Sequence, residues 1–117
     1  MSKESLILIC GWGHPASDLE PLADRLAEHF DVSTLSVHEL APAYSETLAG
    51  ILQKKPGKHY LLGWSMGGMV VMETASRCPE KVAGLILVSA TPKFCASDDY
   101  PAGIPAPNLR AMSLALK

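Results

Sequence analysis

Short apolar runs, separated by longer mixed segments, dominate the first ninety residues of the chain. The run at 6–9 is apolar at every position and is closed by Gly11, a pattern typical of a strand buried on both faces of a parallel sheet. Runs at 32–37, 60–62 and 85–88 are also short and consist largely of β-branched, aromatic or other large apolar residues. We therefore expect four strands.

Helical spacing fills the segments between these strands. Ser17 and Glu20 form a Ser-x-x-Glu capping pattern, and apolar residues then recur at helical spacing as far as Phe30. A second helix is predicted at 45–55, before a Pro-Gly pair, and a third ends at Cys78, where a proline follows. Strand and helix thus alternate along the chain.

This alternation predicts an α/β fold in three layers, with a parallel sheet between two layers of helices. The simplest order for the four strands is 2-1-3-4. A chain of 117 residues is long enough for one core and too short for a second, so residues 1–117 are predicted to form a single domain. Within it, the Pro-, Ala- and Ser-rich residues 91–117 predict a loop and then, from 109 to 116, the start of a lid or following helix.

One motif in this pattern indicates a catalytic site. Residues 63–67 read Gly-Trp-Ser-Met-Gly, the G-x-S-x-G pattern, and they lie between the third predicted strand and the third predicted helix. In such a turn the serine, here Ser65, is strained and exposes its hydroxyl, and side chains at Gly63 and Gly67 would crowd the backbone. The following helix places free N–H groups, including that of Met66, where negative charge develops in acyl transfer. Ser65 is therefore the candidate nucleophile.

A second loop is expected at the same edge of the sheet. With strand order 2-1-3-4, strands one and three are neighbours, so the loop at 11–14 faces the turn that holds Ser65. The backbone N–H of Trp12 is then a candidate second donor to an oxyanion, opposite Met66. His14 lies in the same loop and is a candidate for contact with substrate or water.

Composition narrows the classes of function. Apolar residues make up 48% of the chain and the formal net charge is −2, which is typical of a folded globular chain and argues against nucleic-acid binding. The first apolar run is too short for a signal peptide or a membrane span, which predicts no membrane association and a cytoplasmic location. Cys10, Cys78 and Cys95 form no CxxC pair, so neither a disulfide framework nor a metal site is predicted.

Several stretches of the chain match a known group of enzymes. They are Gly11-Trp12-Gly13, residues 62–70 (LGWSMGGMV), 79–82 (PEKV), 88–92 (VSATP) and 94–99 (FCASDD). On these stretches the chain resembles the α/β-hydrolases, and most closely the pimeloyl-[acyl-carrier protein] methyl ester esterases of biotin synthesis. The resemblance runs from residue 6 to the end of the chain and is weak between the second strand and residue 58.

The resemblance implies an activity and a set of roles. It implies that Ser65 is the nucleophile of a serine carboxylesterase and that the N–H groups of Trp12 and Met66 bind the oxyanion. It also implies that Trp64 lines the acyl pocket. From their places in the sequence, Trp12 and His14 are further candidates for contact with the substrate, and core anchoring is an equally good interpretation of the two tryptophans. The substrate would be an ester, free or carried on acyl-carrier protein, with the methyl ester of a pimeloyl chain as the sharpest expectation. Hydrolysis through an acyl-enzyme would need no metal or organic cofactor.

Two departures from the family pattern concern the catalytic groups. The family usually has His-Gly before the oxyanion residue, whereas this chain has Cys10-Gly11, which predicts a loop without the support of that histidine. In the order Ser, acid, His, the other triad members follow the nucleophile, and no histidine follows Ser65. We therefore expect the chain to hold the amino-terminal part of a hydrolase core and to be a poor catalyst by itself.

Two other classes of function stay open at this stage. Residues 11–16 read Gly-x-Gly-x-x-Ala after a strand and Glu39 follows the next strand, as in a dinucleotide-binding module. Pro15 inside that turn and the motif around Ser65 favour the hydrolase. Alternatively, the chain is a truncated, non-catalytic hydrolase that binds a partner, because an exposed fourth strand predicts self-association or a complementing chain.

Overall fold

Four parallel strands form the centre of the computed structural model, which describes residues 3–93 and 95–115. The strands are β1 (Glu4–Ile9), β2 (Phe30–Leu35), β3 (His59–Trp64) and β4 (Val82–Val88), and their order is β2-β1-β3-β4. All three pairings are parallel. The predicted α/β class and the predicted strand order are confirmed.

Helices cover both faces of this sheet. They are α1 (Glu20–Leu26), α2 (Val37–Leu40), α3 (Tyr44–Lys54), α4 (Met66–Arg77) and α5 (Ala106–Ala115), with single 3-10 turns at Ala16–Leu19 and Pro79–Lys81. Among the described residues, no helix combines the length and the apolar character that a membrane crossing would need.

The core is divided by β1, whose side chains are buried on both faces of the sheet. Ile7 and Ile9 pack on one face with residues of α2, α3 and α4, whereas Leu6 and Leu8 pack on the other with residues around α1. All four are almost completely buried. Because successive side chains of a strand point to opposite faces, a run that is apolar at every position suits only a strand covered on both sides.

The first helix differs from its predicted form. Ser17 lies in a 3-10 turn and its side chain makes no capping hydrogen bond, and α1 begins only at Glu20. An α-helix capped at Ser17 would need the N–H of Pro21 as the donor to the carbonyl of Ser17, and proline has no N–H. The helix also ends at Leu26, so that Phe30 opens β2 instead of closing the helix.

The segment after β2 also differs from the prediction. Val37, which we expected to end the second strand, begins the four-residue helix α2. A complete capping box starts this helix: Glu39 N donates to Ser36 Oγ at 3.3 Å, and Ser36 N donates to Glu39 Oε2 at 2.9 Å. The sequence thus contains the Ser-x-x-Glu pattern at two places, and only the second one caps a helix.

The last helix, α5, begins three residues earlier than the predicted start at 109. Its predicted last residue, Leu116, lies outside the described residues, as does Phe94 of the stretch that resembles the hydrolases. Between β4 and α5 the chain forms a loop with two isolated bridges, Cys95 with Ile104 and Ser97 with Tyr100.

Candidate active site

Ser65 occupies the tight turn that joins β3 to α4. Its φ of 58° and ψ of −122° lie outside the regions that residues other than glycine favour, so the backbone is strained at this position. Ser65 N donates to Val88 O at 3.0 Å, and Gly68 N donates to Ser65 O at 2.9 Å. The turn at 63–67, called the serine turn below, is thus fixed between the end of β4 and the start of α4.

Glycines make the serine turn possible because α4 packs directly against the ends of the strands. A Cβ on Gly63 would lie 2.5 Å from the carbonyl oxygen of Gly67. One on Gly67 would lie 2.9 Å from the carbonyl carbon of Ile9, and one on Gly68 would collide with the side chain of Ala90. Real Cβ atoms do not approach other atoms this closely, so a larger residue at any of the three would displace α4.

The loop after β1 (residues 11–14, called the β1 loop below) lies against the serine turn. A Cβ on Gly11 would be 3.0 Å from the Cβ of Ser65 and 3.5 Å from its hydroxyl oxygen. This proximity follows from the strand order, because β1 pairs with β3 and Ile9 lies opposite Gly63 at the carboxyl end of both strands. Trp12, the candidate oxyanion donor, directly follows Gly11.

Three hydrogen bonds hold the β1 loop. His14 N donates to Gly11 O at 3.3 Å, the thiol of Cys10 donates to His14 O at 3.2 Å, and Gly13 N donates to His38 Nε2 at 3.0 Å. The loop therefore has side-chain support although position 10 is not a histidine. No sequence pattern predicts this role for His38, which belongs to the unpredicted helix α2.

His14 lies beside the residue that precedes the nucleophile. The ring centroids of His14 and Trp64 are 4.5 Å apart, with the planes tilted by 49°. His14 Nδ1 donates to the Asp18 carboxylate at 2.8 Å, and both side chains are nearly half exposed. A histidine oriented by a carboxylate thus stands at this edge of the sheet, with Asp18 as a partner that the sequence analysis did not single out.

The two tryptophans pack on opposite sides of the sheet. Trp12 and Met66 contact the core cluster under α2, α3 and α4, whereas Trp64 contacts the cluster on the side of α1. All three side chains are partly buried. Each tryptophan therefore anchors its own loop in a core, besides any contact with a substrate.

The remaining histidines lie elsewhere. His59 is 2% exposed at the opposite end of the sheet, with Nδ1 2.7 Å from Ser5 Oγ, and burial lowers its pKa. A cavity of about 490 Å³ also lies at that end, and its lining includes Ser5, His59, Lys55 and Lys58. This cavity is remote from Ser65, and we assign it no role in the chemistry. His29 is exposed in the turn after α1.

The chain matches the family model described as alpha/beta hydrolase fold over residues 10–110. It is 39% identical over 103 residues to the pimeloyl-[acyl-carrier protein] methyl ester esterase of Yersinia enterocolitica. This alignment covers 82% of this chain and 40% of that protein. The protein of the same name from Sodalis glossinidius is 35% identical over 107 residues, with the same two coverages. The chain thus spans about 40% of the length of these relatives.

Solved structures agree with the family match. A hydrolase from Oleispira antarctica superposes with a TM-score of 0.78 over 96% of this chain and 47% of that chain, at 14% identity, which is a likeness of fold. A pyrethroid hydrolase from Sphingobium faniae superposes with a TM-score of 0.59 at 27% identity, over 82% of this chain and 43% of that chain. With its sheet order, its serine turn and a family match over most of its length, the chain belongs to the α/β-hydrolase fold family.

Proposed function

We propose that the chain provides the nucleophile and the oxyanion hole of a serine carboxylesterase. The strained backbone of Ser65, between β3 and the first turn of α4, is the observation that carries the proposal. Strain of this kind is kept in proteins where the surrounding structure enforces it and function needs it. Here the collisions that any side chain at Gly63 or Gly67 would cause show how closely the surroundings fix the turn.

The proposed reaction has two steps. Ser65 Oγ attacks the carbonyl carbon of the ester and loses its proton to a base, and the alcohol then leaves with a proton. Water attacks the acyl-serine in the second step and releases the carboxylic acid. In both steps the carbonyl oxygen gains negative charge, which the N–H groups of Trp12 and Met66 stabilise. Met66 is suited to this because it is the first residue of α4, whose N–H has no acceptor within the helix.

The proposed reaction also needs a general base to take the proton of Ser65, and a further residue must supply it. In α/β-hydrolases the acid and the histidine follow the serine along the chain, and no histidine follows Ser65 in these 117 residues. We therefore expect these 117 residues by themselves to turn over esters slowly. An oxyanion hole without its triad still leaves about 10³-fold acceleration over the uncatalysed reaction.

For the substrate we propose the methyl ester of a pimeloyl chain carried on acyl-carrier protein. Two relatives that are 35% and 39% identical to the chain support the proposal, because their names state this substrate. Trp64 and His14 are proposed to contact the acyl chain at the mouth of the site, because their rings contact each other beside Ser65, with the planes tilted by 49°. Trp12 is proposed to contact the chain from the side of α4. We further propose that residues 1–117 fold as one domain and that the reaction needs no metal or cofactor.

Labelling with a fluorophosphonate tests the role of Ser65. Intact-mass spectrometry after long exposure should show one slowly formed adduct on the wild-type chain and none on Ser65→Ala, because the oxyanion hole accelerates the attack by Ser65 even without a base. Ser89→Ala is the matched control, since Ser89 also has a positive φ (48°) and lies at the end of the neighbouring strand. An adduct that persists in Ser65→Ala, or a folded wild-type chain without any adduct, would contradict the proposal.

Competition tests the proposed substrate without requiring turnover. Dimethyl pimelate should slow the labelling of Ser65 at lower concentrations than dimethyl malonate, which carries the same ester group on a shorter chain. Equal protection by both esters would leave Ser65 as the nucleophile and would contradict the proposed preference for the longer acyl chain.

The exposed strand β4 favours a second function, the binding of a partner chain. Leu85, Ile86, Leu87 and Val88 are each between 37% and 45% exposed, an unusual state for four consecutive apolar residues of a parallel strand. Sedimentation should therefore show self-association of the wild-type chain. Ile86→Lys should reduce it, because a charge on an edge strand opposes pairing.

Leu22→Lys is the control for this test, since Leu22 is 40% exposed on α1, away from β4. A wild-type chain that stays monomeric and melts cooperatively would exclude self-association through β4. The dinucleotide hypothesis is not proposed further, because residues 11–16 lead into a 3-10 turn and not directly into a helix.

A further inference from the structure

We propose that His38 is a positioning residue for the oxyanion hole, a role that rests on the function proposed above. Through the N–H of Gly13, His38 holds the β1 loop in place beside Ser65, so that the N–H of Trp12 keeps its direction toward the developing oxyanion. His38 itself does not touch the reacting atoms in this proposal.

The contact between His38 and Gly13 joins helix α2 to the β1 loop. Gly13 N donates to His38 Nε2 at 3.0 Å, across a separation of 25 residues. The acceptor nitrogen must carry a lone pair, so the bonded form of His38 is the neutral imidazole with its proton on Nδ1. Gly13 has a φ of 83°, a conformation that glycine adopts readily and that turns its N–H toward α2.

The helix that carries His38 is short but well anchored. Val37 and Leu40, on either side of His38, are almost completely buried in the core. The reciprocal capping bonds between Ser36 and Glu39 fix the start of the helix. An exposed imidazole is therefore presented to the β1 loop from a support that is itself rigid.

The β1 loop is then fixed on both sides of Trp12. Gly11 lies against the side chain of Ser65, where a Cβ would come within 3.0 Å of the serine Cβ. Gly13 is held by His38. Trp12 is the single residue between these two points, so both peptide groups that flank it have restricted orientations. An oxyanion donor works only within a narrow range of distances and angles, so the loss of one restraint weakens it.

The effect on catalysis should be larger than the effect on stability. Gly13 and His38 are both exposed, so their hydrogen bond competes with water and contributes little to the free energy of unfolding. A residue with a merely structural role would show the opposite relation. His38→Gln and His38→Leu separate the two cases, because glutamine offers a carbonyl oxygen at a reach similar to Nε2 and leucine offers no acceptor.

The experiment measures two quantities in wild type, His38→Gln and His38→Leu. One is the exchange rate of the Gly13 amide hydrogen by NMR, and the other is the pair kinact and KI for the fluorophosphonate. In His38→Leu we expect the Gly13 amide to exchange about tenfold faster. We also expect kinact to fall about tenfold, with KI within about twofold of wild type. His38→Gln should stay within about twofold of wild type in every quantity, and His29→Leu is the control for loss of an exposed histidine.

Each outcome decides the proposal. Unchanged exchange and unchanged kinact in His38→Leu would overturn it while the proposed function stands. Equal losses in His38→Gln and His38→Leu would also overturn it, because the acceptor would then not be the feature that matters. If the wild-type chain is not labelled at all, the proposed function fails. In that case the exchange rate of the Gly13 amide hydrogen by itself tests whether His38 holds the β1 loop.

Discussion

Gly67 and Ile9 meet backbone to backbone at the point where α4 begins and β1 ends. A Cβ on Gly67 would lie 2.9 Å from the carbonyl carbon of Ile9 and closer still to its oxygen. This contact joins the serine turn to the strand that leads into the β1 loop. The relative position of Ser65 and Trp12 therefore depends on Gly67, which is not adjacent in sequence to either residue.

Gly67→Ala should lower the free energy of unfolding by about 2 kcal/mol or more, because the methyl group overlaps backbone atoms that cannot move independently. Gly50→Ala is the matched control. Gly50 lies inside α3 and a Cβ there meets no atom within 4 Å, so alanine should stabilise the chain by about 0.5 to 1 kcal/mol. Urea denaturation measures both changes. Equal stability of Gly67→Ala and wild type would contradict the close contact.

Ser65→Gly should be more stable than Ser65→Ala by about 1 kcal/mol, because glycine adopts a φ of 58° without strain and alanine does not. Both variants should lose the fluorophosphonate adduct. Denaturation curves of the two variants, recorded together, give the difference directly. A glycine variant that is less stable than the alanine variant would show that the turn is not strained at this residue.

Ser36→Ala should cost about 1 kcal/mol, because it removes the acceptor for Glu39 N at the start of α2. Ser17→Ala has the same sequence context, with a glutamate three residues later, but Ser17 makes no capping bond. Its effect should stay below about 0.5 kcal/mol. Denaturant midpoints distinguish the pair, and similar losses in both variants would mean that Ser17 also caps a helix in solution.

The buried histidine predicts a pH dependence of stability. Burial lowers the pKa of His59 below its ordinary value of 6.5, and the positive charge of Lys81 acts in the same direction. The unfolded chain therefore binds a proton at this residue more readily than the folded chain. The contribution of His59 is fully present above about pH 6.5 and is lost as the pH falls through the lowered folded-state pKa.

His59→Asn isolates this contribution, because asparagine keeps a polar partner for Ser5 and does not titrate. The free energy of unfolding should fall between about pH 7.5 and pH 5 more steeply in wild type than in the variant. Parallel curves for the two proteins would show that His59 titrates alike in the folded and unfolded chains.

Local sequence patterns predicted a strand or helix correctly where a single property of the residues, such as continuous apolarity, determines that element. The continuous apolar run of β1 requires cover on both faces, and that requirement alone predicts a central strand. The same approach placed the first helix too early, because the Ser17 pattern ignores the missing N–H of Pro21. It also missed α2, whose four residues are too few to show a helical period.

The sequence by itself determined the alternation of strands and helices, the serine turn and the candidate nucleophile, because periodicity and turn chemistry act between residues that are near in the chain. Only the tertiary structure decided that His38 bonds to Gly13 and that His14 lies on Trp64. These contacts join residues 25 and 50 positions apart, and no local pattern encodes them. They depend on which strands are neighbours and on how far each loop extends, which packing of the whole sheet settles.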